Sequence, residues 1–228
     1  MFVFENLKTG LKIGWVHVPR TGGTSFKHMI LDHISNDPNW CHRKQGKGSH
    51  PRYWEFEKHD ITFTTIRNPW DRTFSDYCFF KKNYEVTSSF DMIPKHGEFG
   101  LGMIVVPPRL IDGKYPDFNT WMLNFRNYKI KSLHDPNRIY PYSPSTTQSD
   151  FLSGKHQPEY LVRFERLQQD SKKVLRLFGC TDDLPKLNAT VHDHYSKYYN
   201  QDSIDIVNTV FKEDIDRWEY KFEYAGEL

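Results

Sequence analysis

The strongest constraint on the fold lies near the start of the chain, where a strand-like run ends in two consecutive glycines and a helical pattern follows at once. Lys12–Pro19, KIGWVHVP, alternates and is rich in β-forming residues, the pattern of a strand. Arg20-Thr-Gly-Gly-Thr-Ser25 comes next, and Phe26, Met29, Ile30 and His33 then share one helical face. A strand that ends in a glycine turn and opens a helix makes an anion site, because the turn's N–H groups and the helix dipole point at the same place. Gly22 and Gly23 let the backbone approach a ligand closely. Thr24 and Ser25 bring hydroxyl donors and can cap the helix, while Arg20 adds a fixed positive charge. GxxxxGK followed by Ser or Thr is absent, so this is not a Walker A loop. A bare TGGTS can also be a plain capping turn; the preceding strand and the adjacent Arg20 move the reading toward phosphate.

The rest of the chain repeats the alternation. Asp60–Ile66, DITFTTI, reads as a second strand, and Pro69 suits the first turn of the helix expected over Trp70–Lys82. Tyr160–Phe164 reads as a third strand, and Asp170–Phe178 as a helix closed by Gly179. Asp117 is placed to cap a short helix over Phe118–Phe125. Ile204, Val207, Phe211, Ile215 and Trp218 recur at the spacing of one long amphipathic helix. Residues 36–59 and 84–116 read as irregular. Strands alternating with helices predict an α/β protein, a doubly wound parallel sheet flanked by helices, in a single domain over residues 1–228.

A second constellation sits where the second strand ends. Arg67-Asn-Pro-Trp-Asp-Arg72-Thr-Phe-Ser75 puts Arg67 at the carboxyl end of a strand, the place where open α/β sheets bind ligands. Ser75 follows two helical turns after Asn68. A guanidinium fork and a helix hydroxyl together can grip a second phosphate. The competing reading is that Arg67 and Arg72 make structural ion pairs with Asp71 or Asp76.

Composition excludes several classes. The 228 residues carry 31 Lys+Arg against 29 Asp+Glu, a net +2, so affinity for an anion must come from local clustering and bulk nucleic-acid binding is not expected. Aromatic residues make up 16% of the chain, which argues against disorder and for a core built largely on rings. Cys41, Cys78 and Cys180 are odd in number and widely spaced, so neither a disulfide framework nor a zinc site is expected. No apolar run approaches the ~20 residues of a membrane span, and the first residues lack the basic start and apolar stretch of a signal peptide. These features read as a soluble, cytoplasmic protein without a membrane partner or a metal.

HVPRTGGTS at 17–25 followed by TTIRNPWDRTFSDY at 64–77 resembles the PAPS-dependent sulfotransferases. The carbohydrate sulfotransferases that include the heparan sulfate and uronyl 2-O-sulfotransferases are the branch it looks most like. The likeness continues in YLVRFERLQQD at 160–170 and in the segment 184–222, with its Leu-Asn and Tyr-Tyr pairs. The resemblance implies a P-loop-like fold that binds 3′-phosphoadenosine 5′-phosphosulfate (PAPS) and releases 3′-phosphoadenosine 5′-phosphate (PAP). Carried over by position, Arg20, Thr21, Gly22, Gly23, Thr24 and Ser25 would form the 5′-phosphosulfate loop. Arg67 and Ser75 would hold the 3′-phosphate, and Asn188 would lie near the nucleotide. Arg20 departs from the family, which usually carries Lys there to stabilise the departing phosphate; Arg keeps the charge but is bulkier and forked.

Sulfuryl transfer to a hydroxyl also needs a group that takes the acceptor proton. GKGSHPRYWEF at 46–56 resembles the catalytic His segment of the uronyl 2-O-sulfotransferases, which gives His50 that role, and an imidazole suits it. Other branches use Glu, so Glu55 and Glu57 are its rivals. Residues 84–157 are expected to build the acceptor side as an insertion. There Tyr115, Phe118, Trp121, Tyr140, Tyr142 and Gln148 mix rings with polar groups, as a carbohydrate would need. The reading is a sulfotransferase acting on a hydroxyl, most simply that of a carbohydrate. A small-molecule kinase and a non-catalytic module binding adenine nucleotide or glycan are the alternatives. The kinase is disfavoured by the missing GK-Ser/Thr lysine and the lack of an evident Mg²⁺ carboxylate.

Overall fold

The computed structural model describes residues 2–44, 59–88, 103–106, 114–132, 142–152, 157–187 and 192–226. The chain forms two compact units. Met1–Asn68 with Gln148–Ala189 make the first, and Pro69–Thr147 with Thr190–Leu228 the second.

The first unit is built on a five-stranded sheet. Its strands are β1 (Phe2–Asn6), β2 (Lys12–Val16), β3 (Trp40–Lys44), β4 (Ile61–Ile66) and the later strand at Tyr160–Arg163, β7, in the order β3-β1-β2-β4-β7. The expected parallel sheet is found in β2, β4 and β7, with Val16 opposite Thr64 and Ile66 opposite Arg163. It is extended by β1, which runs antiparallel to β2, and by β3, which runs antiparallel to β1, so the sheet is mixed. Neither added strand was legible in the sequence: β1 is five residues long, and β3 reads WCHRK, mostly polar.

Helix α1 (Gly23–Ser35) follows β2 through the glycine turn. Phe26, Ile30 and Ile34 of α1 pack with Phe4, Ile13, Trp15, Phe63 and Val162 of the sheet in one apolar cluster. Trp15 and Phe63 stack at 5.6 Å. Burying each such ring contributes roughly 1.5–3 kcal/mol, which is how a chain of modest apolar content fills its core. The helix after β7, α5 (Leu167–Leu177), adds Val174, Leu175 and the following Phe178 to the same cluster. It begins three residues before the expected start. Its end is as the sequence predicts: Gly179 takes φ 81°, Cys180 N–H donates to the Leu175 carbonyl and Gly179 N–H to that of Arg176, a Schellman closure.

The second unit is mainly helical. Pro69 opens α2 (Pro69–Ser88), six residues longer than its expected stretch at the carboxyl end. Asp117 caps α3 (Phe118–Leu123), accepting from Thr120 N–H at 2.9 Å. The Thr120 backbone and hydroxyl donors hold the Asp117 carboxyl below the usual carboxylate range. A two-stranded antiparallel sheet pairs β5 (Met103–Val106) with β6 (Lys129–Ser132), inside a stretch the sequence left largely without structure. Phe118 and Trp121 are buried core rings, as is Tyr142, rather than exposed surface for a ligand.

The expected long carboxyl-terminal helix is two. α6 (Gln201–Val210) starts at an Asn200–Ser203 capping box, and α7 (Lys212–Trp218) follows a break at Phe211. Phe211 is 1% exposed, with φ −107° and ψ 24°, and lies 5.9 Å from Phe125. The periodicity continues through the break because the i→i+4 bonds Phe211–Val207 and Ile215–Phe211 are kept. A short helix at Gln148–Phe151, α4, belongs to the first unit.

Candidate functional site

The glycine turn is held from below by hydroxyl groups. Thr21, fully buried, donates from Oγ1 to the Val18 carbonyl at 2.8 Å and bonds the Thr65 hydroxyl of β4. This ties the turn to the carboxyl ends of two adjacent parallel strands. Arg20 sits at φ 66° and Gly22 at φ 87°, both left-handed. For Arg20 that conformation costs on the order of 1 kcal/mol, so the surrounding bonds must hold it.

The two glycines are required for different reasons. Gly22 needs its positive φ, and a Cβ there would also come within 3.0 Å of the Leu167 side chain and 3.4 Å of Phe164. At Gly23 the dihedral is ordinary, but a Cβ would run into the His17 imidazole. His17 lies against Trp15, ring centroids 4.8 Å apart, and burial with the nearby Lys27 charge pushes its pKa down to about 3. It therefore stands beside the turn as a neutral ring.

Helix α1 starts at Gly23 with Gly22 as its cap. The cap supplies no side chain, and no acidic residue sits in the first turn. The expectation that Thr24 or Ser25 caps the helix is thus corrected. An N-terminus with no carboxylate of its own keeps the attraction of its dipole for an outside anion. Ser25 is 5% exposed, and its Oγ accepts from Leu187 N–H at 3.4 Å, which brings the segment before Asn188 back to the turn.

Arg67 reaches the same turn. Its guanidinium lies 3.9 Å from the centre of the Phe164 ring, and Nη1 donates to the Arg20 carbonyl at 3.1 Å. One cation thus stacks on the ring that also packs beneath Gly22. The structure brings together Arg20, Thr21, Gly22, Gly23, Thr24, Ser25 and Arg67, all in the first unit. Ser75 is on α2 in the second unit and is 3% exposed. Arg72 is a structural residue there. It is 1% exposed, donates to the Thr146 carbonyl at 3.0 Å and lies 5.7 Å from the Phe211 ring. His50, Glu55, Glu57, Tyr140 and Asn188 lie outside the described residues. No group of His, Cys, Asp and Glu able to hold a metal occurs among the described residues, and no helix among them is long and apolar enough to cross a membrane.

Sequence reasoning missed Phe164 and His17 and gave Gln148 a different place. His17 opens the first quoted motif and Phe164 lies in YLVRFERLQQD at 160–170, but strand-like patterning gives no sign of which ring faces the turn. Gln148, expected on an acceptor surface, is wholly buried against the backbone of Arg67, a pairing across 81 residues that local sequence does not signal.

A parallel strand, a glycine turn, an acid-free helix start and an arginine from the neighbouring strand form the geometry that suits an anionic group. The model of the Sulfotransferase family matches residues 7–221, nearly the whole chain and both units. The chain belongs to that family, whose members are PAPS-dependent enzymes, and it is a sulfotransferase. No curated protein and no solved structure matches it.

Proposed function

We propose that this enzyme transfers the sulfuryl group of PAPS to a hydroxyl of a carbohydrate, in the manner of the 2-O-sulfotransferase branch that its motifs resemble. The observation that carries the nucleotide assignment is the start of α1. It has a glycine cap and no acidic residue in its first turn, and the Arg67 guanidinium is bonded to the turn itself at the Arg20 carbonyl. These residues fit a ligand with two separated phosphates: one at the helix N-terminus, one at a guanidinium fork.

PAPS, when bound, supplies the activated sulfuryl group. The backbone of residues 20–25 binds the 5′-phosphosulfate, and the Arg20 side chain carries positive charge to where negative charge grows on the departing phosphate. Arg67 binds the 3′-phosphate, and Ser75 and Asn188 take the roles the resemblance gives them, on that phosphate and beside the nucleotide. His50 accepts the proton of the acceptor hydroxyl as that oxygen attacks, with Glu55 and Glu57 as the alternatives. The rate then comes from positioning and charge stabilisation.

The test is a transfer assay with ³⁵S-labelled PAPS and γ-³²P-labelled ATP side by side against a panel of saccharides. Label moving from PAPS alone is the expected result. Label moving from ATP alone would make the protein a kinase.

A further inference from the structure

The strand pairing of β4 extends to Ile66. Its last pairings are Thr64 with Val16 on one side and Ile66 with Arg163 on the other. At Arg67 a side chain takes over. Gln148 Oε1 accepts from Arg67 N–H at 2.9 Å, and Gln148 Nε2 donates to the Arg67 carbonyl at 2.8 Å. The carboxamide thus presents the same donor and acceptor as a peptide group and adds one more rung to the sheet. Gln148 is fully buried and comes from α4, 81 residues away in sequence. One residue further on, Asn68 N–H donates to Glu165 Oε1 at 2.5 Å.

We propose that Gln148 is the positioning residue for recognition of the nucleotide's 3′-phosphate. It fixes the backbone of Arg67 so that the guanidinium lies over Phe164 and against the Arg20 carbonyl. The proposal rests on the reading that Arg67 binds the 3′-phosphate. The carboxamide donates and accepts at once, which neither an ionised carboxylate nor a thioether of similar length does. An ionised Glu accepts from Arg67 N–H but faces the Arg67 carbonyl with no proton to give. Met fills a similar volume and bonds neither group. An anchored backbone leaves the long Arg side chain fewer conformations to lose when phosphate binds. Because 5′-AMP lacks the 3′-phosphate, Gln148 should matter to PAP and little to 5′-AMP.

The readout is the ratio of the 5′-AMP and PAP dissociation constants, measured by calorimetry on the full chain. It is taken for wild type, Gln148→Met, Gln148→Glu, Arg67→Ala and the Arg67→Ala/Gln148→Met double variant. The wild-type ratio is expected at roughly tenfold to a hundredfold, the scale of charge-assisted bonds to one phosphate. Gln148→Met should lower it by about tenfold while 5′-AMP affinity holds within about twofold. In the Arg67→Ala background Gln148→Met should change the ratio no further, since the residue it positions is gone. Gln148→Glu should lose the ratio near pH 8 and regain it near pH 5, relative to wild type at the same pH. A buried carboxyl there takes up a proton readily and then donates as the amide does. Should Gln148→Met not fold, the pH response of Gln148→Glu decides by itself.

A wild-type ratio in Gln148→Met, or in Gln148→Glu at both pH values, would overturn the proposal. So would equal loss of 5′-AMP and PAP affinity, which is the mark of a merely structural residue. A wild-type protein that does not prefer PAP would instead remove the reading of Arg67 on which the proposal rests.

Discussion

Replacing Gly23 by Ala adds one methyl group at the point where α1 begins, and the structure gives that methyl no room. The His17 imidazole occupies the position the Cβ must take. The imidazole cannot easily yield, because it is packed against Trp15 and also lies 6.4 Å from the Phe2 ring. Overpacking of this kind costs about 1–3 kcal/mol. Ala in a helix is worth roughly 0.5–1 kcal/mol over Gly, and Gly23 has no positive φ to penalise it. A net loss of about 1–2 kcal/mol follows, which for a chain of this length lowers Tm by roughly 2–8 °C. The first turn of α1 must also shift, so PAP affinity should fall by about tenfold or more, the worth of one or two misplaced phosphate donors. The decisive comparison is a double-mutant cycle with His17→Ala, read by thermal unfolding and PAP titration. Removing the imidazole makes room for the methyl, so the double variant should be less damaged than the two single effects added, by on the order of 1 kcal/mol. If Gly23→Ala is as stable as wild type, or if the two effects simply add, the imidazole does not occupy that space and the argument for the second glycine is wrong.

The remaining predictions concern charge and protons. His17 is held neutral down to about pH 3, whereas an unfolded imidazole takes its proton near 6.5. Its contribution is therefore present above pH 6.5 and lost as pH falls from there toward 3, and His17→Gln should flatten a plot of stability against pH across that window. Arg20→Ala should lower kcat by about 10²-fold or more while Arg20→Lys keeps activity; normal turnover of Arg20→Ala would reduce the loop to a binding cradle. His50→Ala should cut kcat/KM by roughly 10²–10⁴-fold, leave PAP affinity unchanged and abolish the loss of rate at acid pH. If Glu55→Gln or Glu57→Gln is inactive while His50→Ala is active, the base is that glutamate.

What the sequence revealed follows from what local patterning can encode. The strand, glycine turn and helix around residues 12–35 are set by neighbours in sequence, and they are found where expected. The same holds for the Asp117 cap, the Pro69 helix start and the Gly179 helix end. β3 was missed because it owes its existence to a distant partner, Phe4 pairing with His42, whereas β1 is one arm of a local hairpin, Glu5 opposite Lys12, and was missed because it is only five residues long. The break at Phe211 was invisible because a helical period survives a local change of dihedral angles. At the site, motif residues identified the turn and Arg67, yet what holds them was not legible. Thr65 beneath Thr21, Phe164 beneath Arg67 and Gln148 along its backbone all act across 44 or more residues of sequence. Periodicity carries no information about such pairs.

The most direct test is whether the turn at residues 20–25, together with Arg67, recognises a nucleotide with two separated phosphates. Calorimetric titration of the wild-type protein with PAP and with 5′-AMP, repeated on Arg67→Ala, measures this directly. PAP should bind roughly tenfold to a hundredfold more tightly than 5′-AMP, and Arg67→Ala should remove most of that difference while leaving 5′-AMP affinity nearly intact. Equal affinity for the two nucleotides in the wild-type protein, or equal losses for both in Arg67→Ala, would contradict it.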